Sequence, residues 1–92
     1  MRIFYAGQFK KDFKVIDDRL KSSKEFVSEL RKVITALQSK KEPFGHTINK
    51  LLAKGTTYFD CYIYEDILII YRIHNDCLVL LRIGKASQLY KT

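Results

Sequence analysis

The feature that most constrains this chain is the alternation of side chains across residues 57–83, interrupted twice by short polar turns. Residues 57–64, 67–73 and 77–83 follow the period of two that puts successive side chains on opposite faces of a strand. Between them lie Glu65-Asp66 and His74-Asn75-Asp76, residue types that tight hairpins select. Strands joined this closely pair antiparallel. One face collects Phe59, Cys61, Ile63, Ile67, Ile69, Tyr71, Ile73, Cys77, Val79, Leu81 and Ile83, an almost unbroken apolar surface that needs cover. The other collects Tyr58, Asp60, Tyr62, Tyr64, Leu68, Ile70, Arg72, Leu78, Leu80 and Arg82. Simple hairpin pairing predicts one cross-strand row of Tyr62, Leu68 and Arg82, and another of Tyr58, Arg72 and Leu78.

Two amphipathic segments upstream can supply the cover. Phe9, Phe13, Ile16 and Leu20 fall at helical spacing and predict a helix over 8–21. Phe26, Leu30, Val33, Ile34 and Leu37 predict a second over 24–39. Ser22 or Ser23 can cap it, and Ser22 with Glu25 has the spacing of a capping box. Lys40-Lys41, Pro43 and Gly45 end it. Residues 2–6 read as a short strand closed by Gly7, and 43–56 as a loop. The expected fold class is α+β, one domain over 1–92. Its order is β-α-α-β-β-β, an antiparallel sheet with a helical hairpin on one face and the other face open. Leu68, Ile70, Leu78 and Leu80 would then be exposed, so a partner or the C-terminal residues must cover them.

Seventeen Lys and Arg against ten Asp and Glu give a net charge of +7. A small basic domain favours an anionic partner: nucleic acid, an acidic protein or a membrane surface. No apolar run approaches the ~20 residues of a membrane helix. The N-terminal segment soon meets Lys10 and Lys11 and is no secretory signal, so a cytoplasmic location is expected. Cys61 and Cys77 fall on the core face of strands separated by a third, too far apart to bridge. With only His46 and His74, the spacing fits no metal site.

Three stretches carry a resemblance. Asp60-Cys61-Tyr62-Ile63-Tyr64-Glu65-Asp66-Ile67-Leu68-Ile69-Ile70-Tyr71 resembles the pattern R-D-x-H-I-x-x-D-x-L-L-I-Y. Leu80-Leu81-Arg82-Ile83-Gly84, followed by Leu89-Tyr90, resembles L-x-R-x-G-[ST]-H-x-x-L-F, and Asn49-Lys50-Leu51 is similar to a K-L step before the second strand. These patterns belong to the RelE/ParE superfamily of bacterial toxins, and the chain most resembles its YafQ-like mRNA interferases. The resemblance implies a RelE-like fold and the toxin of a type II toxin-antitoxin system. Such a toxin is a ribosome-dependent endoribonuclease, in which the ribose 2′-OH attacks the adjacent phosphorus without a metal or other cofactor. The implied partners are the ribosome, mRNA and a cognate antitoxin, with no membrane. A hetero-oligomer with the antitoxin and a monomeric free toxin are expected.

That reaction needs a proton acceptor, a proton donor and cations for the phosphorane charge. The implied catalytic set is Arg82, Tyr90, Asp66, Lys50, Tyr62 and His46, and the implied RNA contacts are Lys54, Lys85, Lys91 and Arg72. Arg82 would hold phosphate. Tyr90 would stack on a base or donate a proton, and Tyr62 would hydrogen-bond phosphate. Lys50, Asp66 or His46 would act on protons, with Asp66 alternatively orienting a catalytic group. Each has a structural alternative, such as an Arg82–Asp66 ion pair or a turn role for Asp66. Two histidine positions of the YafQ-like pattern are Tyr62 and Ala86 here. This departure keeps open a ParE-like inhibitor of DNA gyrase, or a catalytically attenuated homologue.

Overall fold

The alternating segments pair as expected, but the sheet they join is wider than the sequence suggests. The computed structural model describes residues 1–90, so Lys91 lies outside the described residues. In chain order the elements are β1 (Arg2–Tyr5), α1 (Gly7–Lys14), α2 (Asp18–Lys21), α3 (Lys24–Gln38), β2 (Ile48–Ala53), β3 (Thr56–Tyr64), β4 (Ile67–His74), β5 (Cys77–Lys85) and α4 (Ala86–Leu89). They form one five-stranded sheet of order β1-β5-β4-β3-β2. Phe9 of α1 and Phe26, Val33 and Leu37 of α3 are buried with Cys61, Ile69, Tyr71, Leu80 and Ile83 of the sheet. The α+β class is the observed one, with α1 and α3 on the core face of the sheet and the short α4 over the other. Burying Phe26, which is 0% exposed, contributes roughly 1.5–3 kcal/mol.

Four local features depart from the expectation. Residues expected to be loop form β2, antiparallel to β3. Ile-Asn-Lys-Leu-Leu-Ala lacks clear alternation because an edge strand has no second neighbour to enforce it. Its turn is legible only in hindsight: Lys54 and Gly55 both take positive φ, 50° and 77°, as a tight hairpin requires. Next, β1 runs parallel to β5, which makes the sheet mixed and not purely antiparallel. The helix expected over 8–21 breaks into α1 and α2, because the Asp17 carboxylate accepts the Arg19 N–H at 2.8 Å and starts a new helix. Ser23, not Ser22, caps α3 by accepting the Phe26 N–H at 3.3 Å.

The fourth departure re-aims side chains. Ile70 pairs with Arg82 but Tyr71 pairs with Leu80, so Leu81 is an extra residue, a β-bulge. The bulge inverts the facing of everything before it in β5. Leu78 and Leu80 turn into the core, both 0% exposed, and the Cys77 and Val79 positions fall on the outer face. Leu68 is also 0% exposed; it lies opposite Gly84, over which α4 folds so closely that a Cβ there would meet Leu89 Cδ2 at 3.5 Å. Three of the four aliphatics expected to be bare are therefore buried, one of them beside the C-terminal cover. The rows change with them: Tyr62 and Leu68 do pair, but Arg82 joins Ile70, and Arg72 joins Val79. Cys61 and Cys77 are free, and burial, with Asp60 nearby, pushes the Cys61 thiol up to about 11.

Candidate functional site

On the outer face, one row crosses four strands: Asn49 of β2, Asp60 of β3, Ile70 of β4 and Arg82 of β5. Asp60 is its hub. Although it points away from the helical core, it is only 4% exposed. Asn49 Nδ2 donates to Asp60 Oδ1 at 2.9 Å, and the Tyr90 hydroxyl donates to Oδ2. The second bond exists because α4 folds back over the sheet. The Ala86 N–H is held by the Asp66 carbonyl at 3.0 Å, and the Tyr90 N–H by the Ala86 carbonyl at 3.0 Å. Burial first, then the bond to Asp60 and the nearby charges of Asp60 and Tyr62, push the Tyr90 phenol far above the usual phenolic range. Tyr90 therefore keeps its proton at neutral pH. Tyr62, two residues beyond Asp60 on the same face, is 42% exposed.

Arg82 closes the row, and its ion-pair partner is Asp12 of α1, not Asp66. Arg82 Nε and Nη2 donate to Asp12 Oδ2 and Oδ1 at 2.7 and 3.2 Å. The Ile83 N–H adds a bond to Oδ2 at 3.2 Å, and Gln8 Nε2 one to Oδ1 at 2.9 Å. This carboxylate is needed because β1 ends at Tyr5, opposite Leu80, which leaves the β5 edge unpaired beyond that point. Burial alone would raise the Asp12 carboxyl. The bonds from Arg82, Gln8 and Ile83, and the guanidinium charge, outweigh it and hold the group below the usual carboxylate range.

The remaining candidates do not all converge on this row. His46 is spent elsewhere: Nδ1 contacts the Tyr62 carbonyl oxygen and Nε2 the Glu29 carboxylate, each at 2.7 Å. It pins the 43–47 loop to α3 and β3, a structural role. That bond, opposed by burial, holds the Glu29 carboxyl below its usual range. Lys50 pairs with Phe59, whose ring stacks on Tyr71 at 5.3 Å, so its position belongs to the face opposite Asn49. Lys54 sits in the β2–β3 turn, five residues from Asn49 and so roughly 17 Å along the strand. Asp66 occupies the β3–β4 turn and anchors α4 through its backbone carbonyl. Lys85 is exposed at the end of β5, lining a cleft with Arg82, Asp17 and Gln88. Arg72 lies on the outer face one row from Ile70.

The structure thus sets Tyr90 on Asp60, with Tyr62 near and Asn49 on the other oxygen, and leaves Arg82 two strands away beyond Ile70, held by Asp12; sequence reasoning did not single out Asp60, Asn49 or Asp12. Asp60 had a signal: it is the only carboxylate among the outward positions of the three alternating strands. Asn49 and Asp12 had none, because their roles depend on partners 11 and 70 residues away.

The profile of the family described as "Bacterial toxin of type II toxin-antitoxin system, YafQ" matches residues 1–91. No curated protein matches. Among solved structures, a copper-bound mutant toxin from Helicobacter pylori is 27% identical with a TM-score of 0.81, covering 98% of this chain and 99% of that one. YafQ from Escherichia coli BL21(DE3) is 27% identical with a TM-score of 0.77 at the same coverage. The E. coli DinJ–YafQ complex is 25% identical with a TM-score of 0.78, again over 98% and 99% of the two chains.

Proposed function

The chain belongs to the YafQ family of bacterial type II toxins, and from that premise we propose that it cuts mRNA on the ribosome with phenols and a carboxylate in place of imidazoles. The observation that carries the reading is the hydrogen-bonded chain Asn49–Asp60–Tyr90, beside Tyr62, in a row that ends at Arg82. A phenol bound to a buried carboxylate can pass a proton through. As the ribose 2′-OH attacks phosphorus, its proton moves to the Tyr90 oxygen and the Tyr90 proton moves to Asp60. The O2′–P bond forms and the P–O5′ bond breaks. Tyr62 gives its proton to the departing 5′-oxygen. Arg82, with Nε and Nη2 fixed by Asp12, turns Nη1 to a non-bridging oxygen and offsets the phosphorane charge. The products are a 2′,3′-cyclic phosphate and a 5′-hydroxyl, and the proton on Asp60 returns to Tyr62. Asn49 holds the second Asp60 oxygen and fixes its orientation. A carboxylate is a weaker base than imidazole, so proton transfer accompanies attack and does not precede it.

The protein works in the cytoplasm, where translated mRNA is, and a cognate antitoxin silences it by covering the basic outer face. Induced expression followed by mapping of mRNA 5′ ends tests this. Cuts inside translated frames are expected. Asp60→Asn and Tyr90→Phe should lower cleavage by about 10²–10⁴-fold while circular dichroism stays unchanged. Growth arrest with gyrase-linked DNA breaks and intact mRNA would establish the ParE-like reading instead.

A further inference from the structure

The outer sheet face has two halves. α4 overlies the half that holds Gly84 and Asp60, whereas the other half carries the exposed Phe4. In that open half, a second row crosses all five strands. Leu51 pairs with Tyr58, the register of Phe59 with Tyr71 puts Tyr58 opposite Arg72, Arg72 pairs with Val79, and Val79 with Phe4. Phe4 is 57% exposed, a large aromatic lying bare on a strand surface. Arg2 follows two residues earlier on the same face of β1, paired with Cys77. None of Leu51, Tyr58, Arg72, Val79, Phe4 and Arg2 is a carboxylate. The nearest acidic side chain in the adjoining turn, Asp76, is already paired with Lys40 at 2.9 Å. Arg72 Nη2 donates to His74 Nδ1 at 3.1 Å, and its buried Nε has no partner among the described residues.

Aromatic rings alternating with guanidinium groups, in a row without a carboxylate of its own, fit single-stranded nucleic acid: bases stack on rings, and phosphates meet cations. The row lies next to the Asp60 row, about 7 Å away along the strands. We propose that this open half is a stacking platform for single-stranded RNA, with Phe4 and Tyr58 as base supports and Arg72 and Arg2 as phosphate contacts. It seats nucleotides that flank the linkage cut at Asp60, and it rests on the nuclease reading for which strand it holds. Charge complementarity and continuity with the Asp60 row favour RNA over a protein segment.

The probe is a fluorescein-labelled ten-nucleotide single-stranded RNA, 2′-O-methylated throughout so that it cannot be cut, followed by anisotropy against the purified full chain. Phe4→Ala should weaken binding about 5- to 150-fold with the salt slope unchanged. Arg72→Ala should lower that slope by about 0.7, and Arg72→Lys should restore it. Phe4→Leu keeps the apolar volume without the ring and should bind like Phe4→Ala, which guards against a folding artefact. Failure of the parent to bind the probe, or equal binding by Phe4→Ala, overturns the platform. So does equal RNA binding coupled to lost antitoxin binding, which would make the occupant a protein. The two proposals fail separately. Phe4-dependent binding without cleavage sinks the nuclease and spares the platform; cleavage untouched by Phe4→Ala does the reverse.

Discussion

Removing the Asp12 carboxylate is the most informative single perturbation, because it separates the structural and chemical duties of Arg82. Asp12 is 8% exposed and accepts four hydrogen bonds. In Asp12→Ala, the buried Ile83 N–H loses its acceptor, a loss of about 1–3 kcal/mol. The ion pair adds less than a fully buried one, since the Arg82 side chain is 40% exposed and water screens it, so about 1 kcal/mol is appropriate. The sum is about 2–4 kcal/mol, or a melting temperature lower by about 10–30 °C for a domain of this size. Urea unfolding followed by circular dichroism measures it. Asp12→Asn keeps one acceptor and should lose about half as much. The pH dependence has a definite sign. The folded carboxyl sits below its unfolded value of about 3.9, so its contribution is complete above roughly pH 4 and drains away as acid titrates through the folded value. Asp12→Asn should remove that part of the acid limb. If Asp12→Ala unfolds within about 0.5 kcal/mol of the parent, the edge-capping argument is wrong.

Three further outcomes follow from other contacts. His46→Ala should lower stability by about 1 kcal/mol yet leave mRNA cleavage within tenfold of the parent; a loss of 10²-fold or more would return His46 to the catalytic set. A thiol reagent at neutral pH should react with Cys77 in the native protein and reach Cys61 only in denaturant, because burial raises the Cys61 thiol to about 11; two fast thiols would contradict the packing. Alkaline titration at 295 nm should show Tyr71, pushed up to about 12 chiefly by burial, and Tyr90 ionising late. Raised groups stabilise the fold fully below about pH 10, and that stability is lost as pH rises through their folded values. Tyr90→Phe should remove one late phenol, and six phenols titrating together near pH 10 in folded protein would refute both the burial of Tyr71 and the Tyr90–Asp60 bond.

The helical stripes, the two hairpins of β3, β4 and β5, and the class of the fold were readable along the chain, because each is a local period that burial of one face imposes. Phe26, Val33 and Leu37 went where their spacing said, whereas the RelE-like pattern around Arg82 and Tyr90 gave no sign of their partners, Asp12 and Asp60. β2 was not legible, since an edge strand with one neighbour has little selection on its alternation. Alternation alone places Leu78 and Leu80 on the outer face, because a single inserted residue, Leu81, shifts the phase of a period-two pattern without changing its appearance.

Sequence alone therefore determined which segments carry an apolar face, how the turns join them, and that the chain is cationic. Tertiary structure alone decided which polar groups meet. Asp60 gains Tyr90 only when α4 folds back, Asp12 gains Arg82 only where β1 stops short, and His46 is withdrawn by Glu29 across the helix layer. Periodicity records whether a side chain is covered, whereas a hydrogen bond depends on the positions of two side chains and of every element between them.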